Sequence, residues 1–247
     1  MPSVLCEELY QIFLRGEKAI PHELSLKMNQ LSGLFLRHQA TAASLEPIFT
    51  LERRLIAGKG PHRQHLETQV FQSLFFSTDA CQAVHPNEKR VRLEPGLVAG
   101  SVSSQERQRH QLALKLADFA QEIFHYQAPP RDSFNNKRKC LAMELIARVA
   151  RHYDFQEVVA LWMTALQSNK KALILTAMEG YDDYRRDRGL PLPAEVVERL
   201  NAIAETTKDR SVAVTALNML VEAGLIDEFE AMARIDQWKE KNDSDWL

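Results

Sequence analysis

The sequence predicts an all-α chain built from stacked helix pairs, on three observations. Apolar residues recur at spacings of three and four almost throughout, and strand-like alternation is nearly absent. Glycine and proline clusters fall between most of the periodic stretches. A block in the C-terminal half also nearly repeats: Glu157-Val158-Val159 returns as Glu195-Val196-Val197, and Ala177-Met178-Glu179-Gly180 is answered by Ala216-Leu217-Asn218-Met219. The offsets are 38 and 39 residues. Two separate matches at nearly one offset mark helix pairs that stack, because neither helix of a pair can bury its apolar stripe alone. A compact helical bundle is the alternative architecture.

Helices are expected at 3–16, 22–38, 44–57, 62–77, 103–127, 133–152, 155–167, 170–187, 193–206, 209–223 and 226–241. The first opens with Ser3 as N-cap and Glu7 and Glu8 in the early turns. Gly16, Pro21, Gly58-Lys59-Gly60-Pro61, Pro129-Pro130, the run from Gly189 to Pro193, and Gly224 separate successive helices. Residues 83–104 are the exception, with Pro86, Pro95, Gly96 and Gly100; only four residues from Arg90 alternate, too few to argue for a sheet. The expected organisation is therefore an N-terminal helical region over 1–82, a linker or long mobile loop over 83–104, and helical repeats over 105–247.

Bulk properties exclude several classes. The chain has 247 residues, 45% hydrophobic and 26% charged, which suits a globular protein rather than a disordered one. A net charge of -2 supplies no overall field toward nucleic acid or an anionic membrane. Cys6, Cys81 and Cys140 are an odd, widely spaced set, which argues against a disulfide scaffold and fits a reducing compartment. The N-terminus lacks a basic leader segment, and no apolar stretch reaches the length of a membrane span, so a cytoplasmic protein with no membrane partner is expected.

In the last repeat, Val196, Val197, Leu200, Ile203 and Ala204 form one face of a helix. Its partner carries Val212, Ala216, Met219, Leu220 and Ala223 and ends at Gly224. Asp209 ahead of Val212, Ala216, Met219 and Leu220 resembles the HEAT/armadillo-type repeat, with Ala213 where that family often has Arg. Leu173, Ala177, Gly180 and Tyr181 take the corresponding places one unit earlier. An earlier unit around Ala142 fits less well, since Arg138 stands where an apolar residue is wanted and a register on Met143 and Ala147 fits nearly as well. The resemblance covers about 130–245. It implies an α-solenoid whose second helices line a concave, partner-binding surface.

On that basis Lys137, Arg138, Arg148, Arg151, Lys170 and Lys171 are the candidate partner-binding residues, a basic groove on or beside successive second helices. Arg185, Arg186 and Arg188 extend the set, although Asp182, Asp183 and Asp187 can pair with them within one helix. The C-terminal region is acidic instead. The function expected is a non-enzymatic scaffold holding a protein or peptide, with no cofactor. Nucleic-acid binding on the same groove is the alternative; the acidic balance and the scarcity of interleaved aromatics weigh against it. A metal-dependent enzyme is a remote third reading. It would rest on His62 and His65 spaced i, i+3 and on Cys81 and His85 spaced i, i+4, weak candidates for a tetrahedral site. Phosphate loops, nucleophile elbows and zinc-protease motifs do not occur.

Overall fold

The computed structural model describes residues 2–16, 22–35, 40–81, 91–92, 103–154 and 157–243. Among these residues the chain is all-α, with eleven helices. They are α1 (Pro2–Arg15), α2 (His22–Phe35), α3 (Ala42–Ala57), α4 (Arg63–Thr78), α5 (Ser104–His125), α6 (Asn135–Ala150), α7 (Glu157–Leu166), α8 (Lys171–Arg186), α9 (Ala194–Thr206), α10 (Arg210–Glu222) and α11 (Glu228–Asp243). Each expected helix is present within a few residues of its expected bounds. The first begins at Pro2, a favoured first helical position, so Ser3 lies inside the helix rather than capping it. One two-residue parallel pairing, β1 (Val91–Arg92) with β2 (Tyr153–Asp154), accompanies the helices. The rest of 83–102 lies outside the described residues.

Two compact units make up the chain, Met1–Phe155 and Gln156–Leu247. They part there, and not at 83–104, because α5 and α6 pack against α3 and α4.

In the first unit, helices pair in chain order: α1 with α2, α3 with α4, α5 with α6. Like helices of successive pairs then lie side by side, α1 on α3 on α5 and α2 on α4 on α6. Their register can be read from the side chains. Lys115 reaches Glu46, Arg53 reaches Glu122, Arg63 reaches Asp132 and Gln64 reaches Ser133, each partner 69 residues away. Arg138 reaches Glu67, 71 residues away. A constant offset along two helices means that they run parallel; antiparallel neighbours would show a constant sum instead. The rings of Phe49 and Phe119 stack at 4.1 Å in the same register, in the middle of the core. Phe13 ends α1 against the α3–α4 turn, where a Cβ on Gly60 or Gly58 would stand 2.4 Å or 2.7 Å from its ring. Those glycines admit a phenyl ring rather than a left-handed turn.

In the second unit, α7 pairs with α8 and α9 with α10, α8 lies beside α10, and α11 packs on α10. Lys171 pairs with Asp209 at 2.8 Å and Arg186 with Glu222 at 3.3 Å, so α8 and α10 also run parallel. Those offsets, 38 and 36 residues, nearly match the sequence repeat. Val158 and Val196 are fully buried, as are Ala177 and Ala216. Gly180 lets α8 approach the fully buried Trp162 of α7, whose indole nitrogen would lie 2.9 Å from an added Cβ. Tyr181 and Tyr184 meet that indole edge-on at 5.5 and 5.3 Å. Asp209 caps α10 by accepting from the amides of Ser211 and Val212 at 3.0 and 3.2 Å. Gly16, Gly189 and Gly224 take positive φ just past their helices, the conformation glycine alone adopts without strain.

Candidate functional site

The six candidate cations divide between the units. Lys137, Arg138 and Arg148 sit on α6 and Arg151 just beyond it, in the first unit; Lys170 and Lys171 open α8 in the second. Lys137 and Arg151 are exposed. Arg148 lies 4.7 Å over the ring of Phe75 and donates to Glu144 at 2.8 Å, so a carboxylate one turn away already shares its charge. Lys170 and Lys171 are exposed, Lys171 holding the capping carboxylate of Asp209.

Arg138 is a correction. Its side chain is fully buried, so it cannot meet a partner. Its guanidinium grips Glu67 with two bonds, Nε to Oε2 at 2.6 Å and Nη2 to Oε1 at 3.0 Å, and reaches Asp132 with Nη1 at 3.0 Å. Arg63 bridges the same two carboxylates from the first turn of α4. A buried arginine is accommodated at this position because Glu67 and Asp132 face it.

Glu52 of α3 completes this cluster. It is fully buried, and both its oxygens lack a hydrogen-bond donor. Burial pushes its carboxyl well above the usual range, and the neighbouring charge of Glu67 pushes it the same way. Burial also raises Glu67, against the pull of Arg138. Burial would raise Asp132 as well, but the bond from Arg138 and the charges around it hold it below the usual range. Three carboxyls face two guanidiniums, so one proton makes the cluster neutral. Burial and the charge of Glu67 favour the neutral form at Glu52, the one carboxyl of the three that neither guanidinium bonds. This cluster joins α3, α4 and α6, with Glu52, Glu67 and Arg138 fully buried and Arg63 at its edge; its role is in the core.

Among the described residues the histidine and cysteine candidates form no metal site. His62 is buried at the start of α4 while His65 is exposed, so the two do not face one way. Cys81 is buried, and burial pushes its thiol up to about 12; Cys6 is pushed to about 12 likewise. His85 lies outside the described residues. Cys140 is buried on the inner face of α6, where a thiol packs as core. Among the described residues, no group of three His, Cys, Asp or Glu could hold a metal ion, and no helix is long and apolar enough to cross a membrane.

Sequence reasoning missed the groove between α8 and α10. It has a volume of about 370 Å³ and is lined by Glu179, Asp182, Asp183 and Arg186 of α8 and by Thr215, Asn218, Met219 and Glu222 of α10. Four carboxylates face one guanidinium there. Arg186 is shared among Asp182 at 2.9 Å, Asp183 at 3.1 Å and Glu222 at 3.3 Å. Asp182 also pairs with Arg185 at 2.6 Å. With Arg185 counted, four carboxylates meet two guanidiniums, so this groove keeps a negative balance; none of the six candidate cations lines it. The signal was present in part: the i, i+3 and i, i+4 pairing of these acids with Arg185 and Arg186 is legible, but Glu222 enters from the next repeat.

No known protein family, curated protein or solved structure matches this chain.

Proposed function

We propose that this chain is a non-enzymatic scaffold of the HEAT/armadillo-like solenoid kind, holding a basic protein segment on the face formed by its second helices. The observation that carries this reading is the open α8–α10 groove, bracketed by Lys171–Asp209 at one end and Arg186–Glu222 at the other. Parallel alignment of like helices in both units supports the solenoid assignment, because repeats that stack by translation place like helices side by side. A groove with polar walls and an apolar floor at Met178 and Met219 suits an extended peptide, whose backbone and side chains can use both. Its negative balance favours lysine or arginine on that peptide and disfavours a phosphate backbone.

A photo-crosslinking residue placed at Asn218, between the two helices, tests this directly. It should capture polypeptide, and capture should fall when Glu179 and Glu222 are both changed to Lys. The same residue at exposed Glu198 on α9 should capture none. Capture of nucleic acid at Asn218 would refute the reading in favour of the nucleic-acid alternative, and equal capture at Glu198 would show that the groove is not the site.

A further inference from the structure

We propose that the outer face of α11 is a second docking surface, one that takes a basic amphipathic helix from a partner protein. Helix α11 turns one side inward: Ala231 is buried, and Trp238 Nε1 donates to the carbonyl of Thr207 at 2.8 Å. At 3.6 residues per turn, Phe229, Met232, Asp236 and Glu240 fall on the opposite side. Phe229 is 85% exposed and Met232 63% exposed. A phenyl ring and a thioether at i, i+3 are neighbours on a helix surface and form one ridge; Leu225, in the turn before the helix, is exposed too. Isolated exposed apolar residues are ordinary, but a contiguous large-residue ridge marks an interaction site. Nothing among the described residues covers it.

Charge selects the occupant. Asp227, Glu228 and Glu230 surround Phe229 in sequence, while Asp236 and Glu240 continue the stripe beyond Met232. Of the nearby cations, Lys239 is held by Asp236 at 2.7 Å, and Arg234 turns toward Glu205 and Glu230 at 3.8 Å each. A second copy of this face would set carboxylate against carboxylate, and an anionic lipid surface would be repelled in the same way. A helix with leucine or methionine anchors flanked by lysine or arginine meets both the ridge and its rim. None of these residues lines the α8–α10 groove, so the inference does not rest on the function proposed above.

The test uses the full chain and a fluorescent helical peptide of about 18 residues, five turns, with Leu on one face and Lys beside it, against the same peptide with Glu for Lys. The Lys peptide should bind, and the Glu peptide should bind at least about tenfold more weakly. Phe229→Ser with Met232→Ser should weaken the Lys peptide by about thirtyfold or more, the loss expected when an interface anchor is removed. Asp236→Lys with Glu240→Lys should weaken it and flatten its salt dependence. Glu179→Lys with Glu222→Lys, in the groove, should leave it unchanged. Unaltered helical circular dichroism of each variant excludes unfolding as the cause. No binding by the Lys peptide, equal binding of both peptides, insensitivity to the Phe229/Met232 change, or loss with the groove variant would each overturn the proposal. So would a concentration-dependent dimer abolished by Phe229→Ser, which would make the occupant a second copy.

Discussion

Glu52 should make the first unit lose stability as pH rises, and Glu52→Gln should remove that loss. In the folded chain its carboxyl is raised by burial and by Glu67; in the unfolded chain it titrates near the ordinary glutamate value, about 4.3. A raised folded value means that the stabilisation is fully present below the unfolded value and declines as pH rises through the window up to the folded one. One proton bound only by the folded state gives a slope of at most about 1.4 kcal/mol per pH unit across that window. Glutamine keeps the shape and carries no charge at any pH. Urea unfolding of the wild type and of Glu52→Gln, followed by far-ultraviolet circular dichroism from pH 5 to 8, should therefore give curves that diverge, the variant gaining as pH rises. All three tryptophans, Trp162, Trp238 and Trp246, lie in the second unit, so their emission reads that unit and should register no such divergence. Parallel curves across the range would refute the reasoning, because they would mean that Glu52 ionises as easily folded as unfolded.

Three other outcomes follow from the packing. Gly180→Val should cost about 1–3 kcal/mol in urea unfolding, since the new side chain meets a rigid indole that has no room to retreat. Gly60→Ala should destabilise the first unit by a similar margin, about 1–3 kcal/mol, and a double-mutant cycle with Phe13→Leu should show coupling, because the smaller side chain vacates the space the methyl needs. Asp209→Ala should cost about 0.5–2 kcal/mol at neutral pH through the lost cap. The Lys171 and Ser211 bonds lower the Asp209 carboxyl to about 2, so the contribution is present above the ordinary aspartate range and fades only as pH falls toward that value; thermal melts at pH 7 and pH 2.5 check both points.

The helices were legible in the sequence because their signals are local: period, caps and breakers lie within a few residues of what they decide. The packing of α8 beside α10 was legible for a related reason. Its structural offsets, 38 and 36 residues, nearly match a repeat short enough to leave matching residues such as Val158 and Val196, or Ala177 and Ala216. The same stacking in the first unit was hidden. There the offset is 69–71 residues, and the pairs are held by unlike partners, Glu46 with Lys115 and Arg53 with Glu122, so no self-similarity records it. The unit boundary was hidden too, because an interrupted stretch at 83–104 looks like a division even where the helices on both sides pack together.

Charge was the least legible property, since a cation's sequence position says nothing about the carboxylates that fold against it. Lys137 and Arg138 are adjacent in sequence, yet one is exposed and the other is buried between Glu67 and Asp132. This has a consequence for stability. Desolvating charges is costly, so a buried ionic cluster contributes little net stability over apolar side chains of similar size, while breaking it leaves an uncompensated charge. Arg138→Met alone should cost about 3–5 kcal/mol, because Glu67 then keeps only the side-on contact from Arg63. Changing Glu52, Glu67 and Arg138 together to Met should leave the fold intact and stability equal or higher by about 1–4 kcal/mol, with Arg63 and Asp132 still paired at the edge. Urea unfolding of both variants separates the possibilities. A triple variant less stable than Arg138→Met alone would show that the cluster itself, rather than its mutual neutralisation, holds α3, α4 and α6 in register.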